Sequence, residues 1–263
     1  MDNVTSKDGT IITYDRLGEG PAVILVSGGS VDRFSNASLA ELLAKQFTVY
    51  NFDRRGRNES GDTPPYAVAR EIEDIAAVTD AAGGSAYLYG SSSGAALAME
   101  AARQLPNSIT KLVMWEAPYI PDGFPRPPAN TAQIFSDLIA QGKREDAAEF
   151  FMAKVVGLPP EFVAQARTSP WWPGQVALAH TLAYDATIMG DYTLPVERVA
   201  QVQIPTLVLY GSASMPFMPV AAQAIVDHLP NGQQRELEGQ RHDVDAAALA
   251  PVMTEFFSAT SAA

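Results

Sequence analysis

The chain has 263 residues, 47% of them hydrophobic, enough for a real core in one large domain or one domain with an insertion. Its formal net charge of −12 repels phosphate backbones and anionic membranes, so neither nucleic acid nor a membrane surface is an expected partner. With no cysteine it forms neither a disulfide nor a thiolate metal site, and His180, His228 and His242 are too scattered to suggest a metal cluster. Residues 1–9 are polar and lack an apolar signal core, and no run of about 18 apolar residues occurs anywhere. A cytoplasmic location is the expectation.

Residues 10–14 alternate as a partly exposed strand does. Residues 22–26 form a continuous apolar run, the pattern of a central parallel strand. A helix is predicted over 39–47 and a second strand over 47–52, ending before Asp53. Ile72, Ile75, Ala76 and Thr79 stand at helical spacing within 70–82, and the acidic stretch 71–74 reads as a solvated helix face. A strand at 86–89, a helix at 95–105 and a strand at 111–115 follow, the last ending before Glu116.

From 119 to 199 the alternation stops. Prolines at 121, 125, 127 and 128 open this segment, and helical patterns follow at 131–141, 145–156, 160–168 and 173–189. Alternation resumes with a strand at 206–210, a helix at 220–228, a weak edge-like strand at 235–238 and a closing helix at 246–257. A Ser/Ala-rich tail occupies 258–263. This order predicts an α/β architecture: a mostly parallel, doubly wound sheet built from residues 1–118 and 200–263. Residues 119–199 are expected to form a helical cap inserted over one edge of that sheet.

Ligands of open parallel sheets bind beyond the C-terminal strand ends, and polar motifs collect there in this chain. Ser27-Gly28-Gly29-Ser30 follows residue 26, Asp53-Arg54-Arg55-Gly56 follows 52, Glu116 follows 115, and Gly211-Ser212-Ala213-Ser214 follows 210. The most informative is Gly90-Ser91-Ser92-Ser93-Gly94, a G-x-S-x-G sequence between a strand and a helix. A turn that tight forces Ser92 into a strained backbone, and bulky side chains at 90 or 94 would clash. The helix behind it directs its positive end at the serine. A serine hydroxyl is a weak nucleophile until a neutral imidazole takes its proton during attack. The bland alternative is a Gly/Ser-rich connection without chemistry.

These motifs resemble the α/β-hydrolase family over residues 8–118 and 200–258. The resemblance implies Ser92 as nucleophile and His242, in Gly239-Gln240-Arg241-His242-Asp243, as the base. It implies the backbone N–H groups of Gly29 and Ser93 as the oxyanion hole. Ser27 stands where the family usually has histidine. Residues 53–60 resemble the family's D-R-R-G-x-G-x-S turn with Asn58 replacing a glycine; there Arg54 and Arg55 are read as holding neighbouring loops rather than substrate. The family's usual acid position aligns with Ser214, which carries no carboxylate. Glu116, 24 residues after Ser92, is the expected acid. Otherwise it begins the hinge of the cap and leaves a Ser92–His242 dyad.

Trp171 and Trp172 in the insertion, and Met215 and Phe217 after Ser214, are expected to line the substrate pocket; anchoring of the cap and ordinary packing are the alternatives. His180 is read as a packing residue and His228 as a histidine closing a helix. The implied function is a cofactor-free serine hydrolase with no metal, monomeric or homodimeric. Its substrate would be a small or medium apolar carboxylic ester or lactone, opened through a Ser-His-Glu triad and an acyl-enzyme. The same residues serve relatives that hydrolyse carbon–carbon bonds or perform cofactor-free perhydrolysis. A capped pocket with a disabled triad would instead be a non-catalytic small-molecule-binding protein.

Overall fold

A computed structural model describes residues 1–259; residues 260–263, the end of the Ser/Ala-rich tail, lie outside the described residues. Eight strands form one sheet: β1 (Asp2–Thr5), β2 (Ile11–Leu17), β3 (Ala22–Val26), β4 (Thr48–Phe52), β5 (Ala86–Ser91), β6 (Ile109–Trp115), β7 (Thr206–Gly211) and β8 (Gly232–Leu237). Their order is β1-β2-β4-β3-β5-β6-β7-β8. From β4 through β8 every pairing is parallel, whereas β2 pairs antiparallel with β4 and β1 antiparallel with β2. The expectation of a mostly parallel α/β sheet holds. Strand β1 has no counterpart among the predicted elements, because an edge strand needs no apolar face and Asp2-Asn3-Val4-Thr5 offers almost none.

The period of two along each central strand feeds two cores. In β3, Ile24 and Val26 join Ile72, Ile75, Leu97 and Ile225 on one face, so α2 (Val68–Ala81), α3 (Ser93–Gln104) and α10 (Met218–His228) pack there. Val23 and Leu25 join Leu39, Leu43, Leu249 and Phe257 on the other, under α1 (Ala37–Leu43) and α11 (Ala246–Ser258). This two-sided burial explains why the central strands read as continuous apolar runs.

Between β6 and β7 lie α4 (Thr131–Ala140), α5 (Arg144–Phe150), α6 (Pro160–Arg167), α7 (Trp172–Leu178), α8 (Leu182–Met189) and the short α9 (Val196–Val199). Two predicted helices divide. The one over 145–156 continues past α5 as a π-helical turn, Phe151–Val155, and the one over 173–189 is broken by a 3₁₀ turn, Ala179–Thr181. Phe135, Ala147, Leu182 and Ala186 give these helices a small core of their own. No helix among the described residues is long and apolar enough to cross a membrane.

The acidic stretch of α2 is not the solvated face expected. Glu71 and Asp74 are buried, and each accepts a two-pronged contact from an arginine in the turn after β4. Arg54 Nε and Nη2 donate to Glu71 at 2.6 and 2.7 Å, and Arg55 Nε and Nη2 to Asp74 at 2.8 and 2.7 Å. Buried carboxylates persist because they are paired. Arg55 also meets Asp8 at 2.9 Å, so both arginines hold loops, as the sequence suggested.

Candidate active site

Ser92 sits alone between the end of β5 and the start of α3, at φ 54° and ψ −129°. A non-glycine residue there carries strain of about 1–3 kcal/mol, which the surrounding packing must sustain. Its neighbours show how. A Cβ at Gly90 would strike the carbonyl oxygen of Gly94, and a Cβ at Gly94 would strike those of Ser27 and Val26. Helix and loop therefore close on the turn only because both positions are glycine. The Ser92 amide donates to the carbonyl of Trp115 at 2.8 Å, fastening the turn to the end of β6.

His242 lies in the loop between β8 and α11. The Trp115 indole donates to its carbonyl oxygen at 2.9 Å, and the end of β7 supports the loop from below. There the amide of Ala213 donates to Gln240 at 3.0 Å, and any Cβ at Gly211 would collide with Gln240. The first residue after β6 is Glu116, also at positive φ (44°), with its side chain fully buried. Glu116 Oε2 stands 2.6 Å from His242 Nδ1. Oε1 accepts the Gly211 amide at 2.9 Å, and Oε2 also accepts the Ser214 hydroxyl at 2.7 Å. A carboxylate against Nδ1 favours the tautomer protonated there and leaves Nε2 free to accept a proton. Asp245, close by in sequence, instead caps α11, accepting from the Ala247 amide at 2.8 Å.

Ser92, His242, Gly29 and Ser93 all line one cavity of about 830 Å³. The loop after β3 runs beside the serine, close enough that a Cβ at Gly28 would lie 3.1 Å from Ser92 Cβ. No protein acceptor among the described residues meets the amide of Gly29 or of Ser93. For Ser93 this follows from its place as the first residue of α3, since the opening amides of a helix have no partner within it. Two free amides thus border the cavity beside the strained serine. No hydrogen bond joins Ser92 Oγ to the His242 ring; such contacts commonly tighten once a substrate docks.

Met215 and Phe217 are on the cavity wall, together with Phe124, Phe151 and Met189 from the insertion. Trp171 and Trp172 are not. Trp171 is 51% exposed, and Trp172 packs among Met152, Val163 and Ala166 inside the insertion. Trp172 therefore packs within the insertion itself, neither on the pocket wall nor as an anchor of the insertion onto the sheet core. His180 stacks edge-on with Tyr184 and lies outside the cavity lining, as does His228, the last residue of α10.

The wall residues Phe124, Phe151 and Met189 escaped the sequence, and so did one buried carboxylate. Asp185, on α8, is buried and lines the cavity. Its carboxylate accepts from Arg54 at 2.7 Å, from Arg57 at 2.8 and 3.0 Å, and from the Ser93 hydroxyl at 2.8 Å. Burial alone raises the Asp185 carboxyl; Arg57, Arg54 and Ser93 outweigh it and hold it below the usual carboxylate value. The signal was present as a lone charge within the apolar run Leu182-Ala183-Tyr184-Asp185-Ala186.

Comparison with known proteins agrees with this geometry. A profile described as the Alpha/beta hydrolase family matches residues 23–252. A solved alpha/beta hydrolase from Sphaerobacter thermophilus is 49% identical, at a TM-score of 0.91 over 98% of this chain and 100% of that one. The enol-lactonase of Burkholderia xenovorans shares the fold at 16% identity and a TM-score of 0.76, covering 98% and 100% of the two chains. An uncharacterized hydrolase of Bacillus subtilis, YraK, is 31% identical over 115 residues, so the match spans 41% of each protein. Strand order, serine turn and profile converge: the chain belongs to the alpha/beta hydrolase family.

Proposed function

We propose that the protein is a serine hydrolase that opens small or medium, largely apolar carboxylic esters or lactones through an acyl-enzyme. The observation that carries this reading is the 2.6 Å contact between the buried Glu116 carboxylate and His242 Nδ1, on the cavity that the strained Ser92 also borders. In the proposed reaction Nε2 of His242 takes the Ser92 proton as Oγ attacks the carbonyl carbon. The oxyanion that forms is held by the amides of Gly29 and Ser93, each such donor being worth about 3 kcal/mol of barrier. The imidazolium, stabilised by Glu116, then protonates the leaving alkoxide. Water activated by the same imidazole releases the acid and restores Ser92.

The apolar wall of Phe124, Phe151, Met189, Met215 and Phe217 supports an apolar substrate. A non-catalytic binding role drew its support from the missing carboxylate at Ser214, and Glu116 removes that argument. The test is intact-protein mass after exposure to a fluorophosphonate, followed by a panel of esters, lactones and β-diketones. One adduct on the wild type, absent from Ser92→Ala, with esters or lactones turned over fastest, is the expected result. A folded wild type that takes up no reagent, or one that cleaves a diketone far faster than any ester, overturns the proposal.

A further inference from the structure

The two oxyanion amides belong to separate segments, Gly29 to the loop after β3 and Ser93 to the first turn of α3. Something must fix the distance between them. The pairing of β3 with β5, Val26 opposite Gly90, brings the two segments side by side, and beyond the strand ends one carboxylate touches the supports of both. Asp185 accepts the Ser93 hydroxyl on one side. On the other it accepts two guanidiniums that grip the glycine loop by its carbonyls. Arg57 Nη1 donates to Val31 O at 2.8 Å and, still closer, to Gly28 O, while Arg54 Nη1 donates to Ser27 O at 3.3 Å. A Cβ at Gly29 would lie 3.2 Å from Asp185 Oδ2, so the carboxylate is directly beside the loop it serves. Glu71, itself held by the Tyr66 hydroxyl at 2.8 Å, fixes the far side of Arg54.

We infer that Asp185 is a positioning residue that sets the spacing of the oxyanion hole, tying Ser93 to the Gly28–Gly29 loop through Arg54 and Arg57. This rests on the serine hydrolase reading above. The contribution is geometric. Asp185 is an anion beside the place where negative charge develops, so its charge taken alone opposes the reaction, and the two arginines offset it. The inference and a purely electrostatic role therefore differ in sign. Removing the charge while keeping the shape raises the rate if electrostatics dominates and lowers it if positioning does. Displacements of about 1 Å at a reacting centre cost about 10²-fold.

The experiment compares Asp185→Asn, Ser93→Ala and the double variant with the wild type, using kinetics on the best ester normalised to fluorophosphonate-titrated sites. The affinity of each for an alkyl boronic acid, which forms a tetrahedral serine adduct, is measured in parallel. Asp74→Asn serves as control, because it breaks an equally buried arginine pair that touches neither Ser93 nor the glycine loop. Asp185→Asn is expected to lower kcat by about 10²-fold with KM within about twofold, and boronate affinity should fall in step. Ser93→Ala keeps its amide and every charge and should lose about three- to tenfold; the double variant should be no worse than Asp185→Asn, since both act through one link. Asp74→Asn should lower the melting temperature and leave kcat per titrated site unchanged. A rise in kcat for Asp185→Asn, or losses no larger than in Asp74→Asn, would overturn the inference. Should Asp185→Asn fail to fold, Ser93→Ala decides alone, and unchanged kcat and boronate affinity there reject it. A wild type that takes up no fluorophosphonate overturns the hydrolase reading itself, a result separate from any of these.

Discussion

Ser214 Oγ donates a 2.7 Å hydrogen bond to Glu116 Oε2, so the residue at the place where α/β-hydrolases usually carry their acid now holds a carboxylate supplied by the neighbouring strand. β6 and β7 are paired neighbours, with Trp115 opposite Leu209. Their ends therefore approach the His242 loop from adjacent positions, and a longer side chain on β6 reaches the same ring nitrogen. The positive φ of Glu116 turns that side chain out of the strand line and under the imidazole.

Glu116→Gln is expected to lower kcat by about 10³- to 10⁴-fold, because an amide behind Nδ1 neither enforces the tautomer nor stabilises the imidazolium. Ser214→Ala removes one of three contacts to the carboxylate and should cost only a few-fold. Moving the acid back, in Glu116→Gln/Ser214→Asp, should recover at least tenfold over Glu116→Gln alone. Steady-state kinetics on the best ester checks all three. Equal activity of Glu116→Gln and wild type would rule out Glu116 as the acid.

The serine turn is also a folding constraint. Gly94→Ala drives a methyl into the carbonyl oxygens of Ser27 and Val26, backbone atoms that no rotamer change can move. We expect destabilisation of about 2 kcal/mol or more and lost activity. Gly174, on α7, has open space around its Cβ direction, so Gly174→Ala should be neutral or stabilising by about 0.5–1 kcal/mol. Urea unfolding of the pair distinguishes local crowding from a general intolerance of alanine for glycine.

What the sequence made legible was whatever depends on neighbours along the chain. The serine turn, the strand ends and the Glu116 position after β6 follow from local pattern plus one rule about strand termini. What it hid depends on partners far away. Glu71 and Asp74 look like a wet helix face until Arg54 and Arg55 arrive from 17 and 19 residues upstream. Asp185 meets Ser93 across 92 residues, and no periodicity encodes that encounter. Trp171 and Trp172 escape placement for the same reason: their size does not say that Trp172 packs among the helices of the insertion while Trp171 stays exposed.

Lys111 shows a second long-range device. It stands on β6, buried, and its ammonium donates to the carbonyls of Phe256, Phe257 and Ala259 at 2.9, 3.0 and 2.5 Å. Phe256 and Phe257 belong to the last turn of α11 and Ala259 follows it, so the ammonium sits at the helix's negative pole. Burial pushes the Lys111 ammonium below its usual value, while these carbonyls and the rings of Tyr87 and Phe256 lie against it. Lys111→Met preserves the stem and strands the carbonyls, and should cost about 1–3 kcal/mol. The site is remote, so kcat of the folded variant should match the wild type. Denaturant unfolding with parallel kinetics gives both numbers, and an unchanged midpoint would reject the capping role.

The stability of the insertion should depend on pH through His180. Burial first, and the nearby Arg144 second, push its imidazole below the usual value, against the opposing pull of Asp62. The sign follows. An unfolded chain takes up a proton at this histidine near pH 6.5, whereas the folded chain resists until lower pH. Below about pH 6.5 the unfolded state therefore binds more protons, and stability falls as pH falls until the folded group also titrates. His180→Gln removes that difference, so its melting temperature should drop less than the wild type's between pH 7.5 and 5.5. Every other group is the same in the two proteins, so the difference between them isolates His180. Calorimetry at the two pH values makes the measurement. Parallel losses in both proteins would mean that His180 titrates alike folded and unfolded.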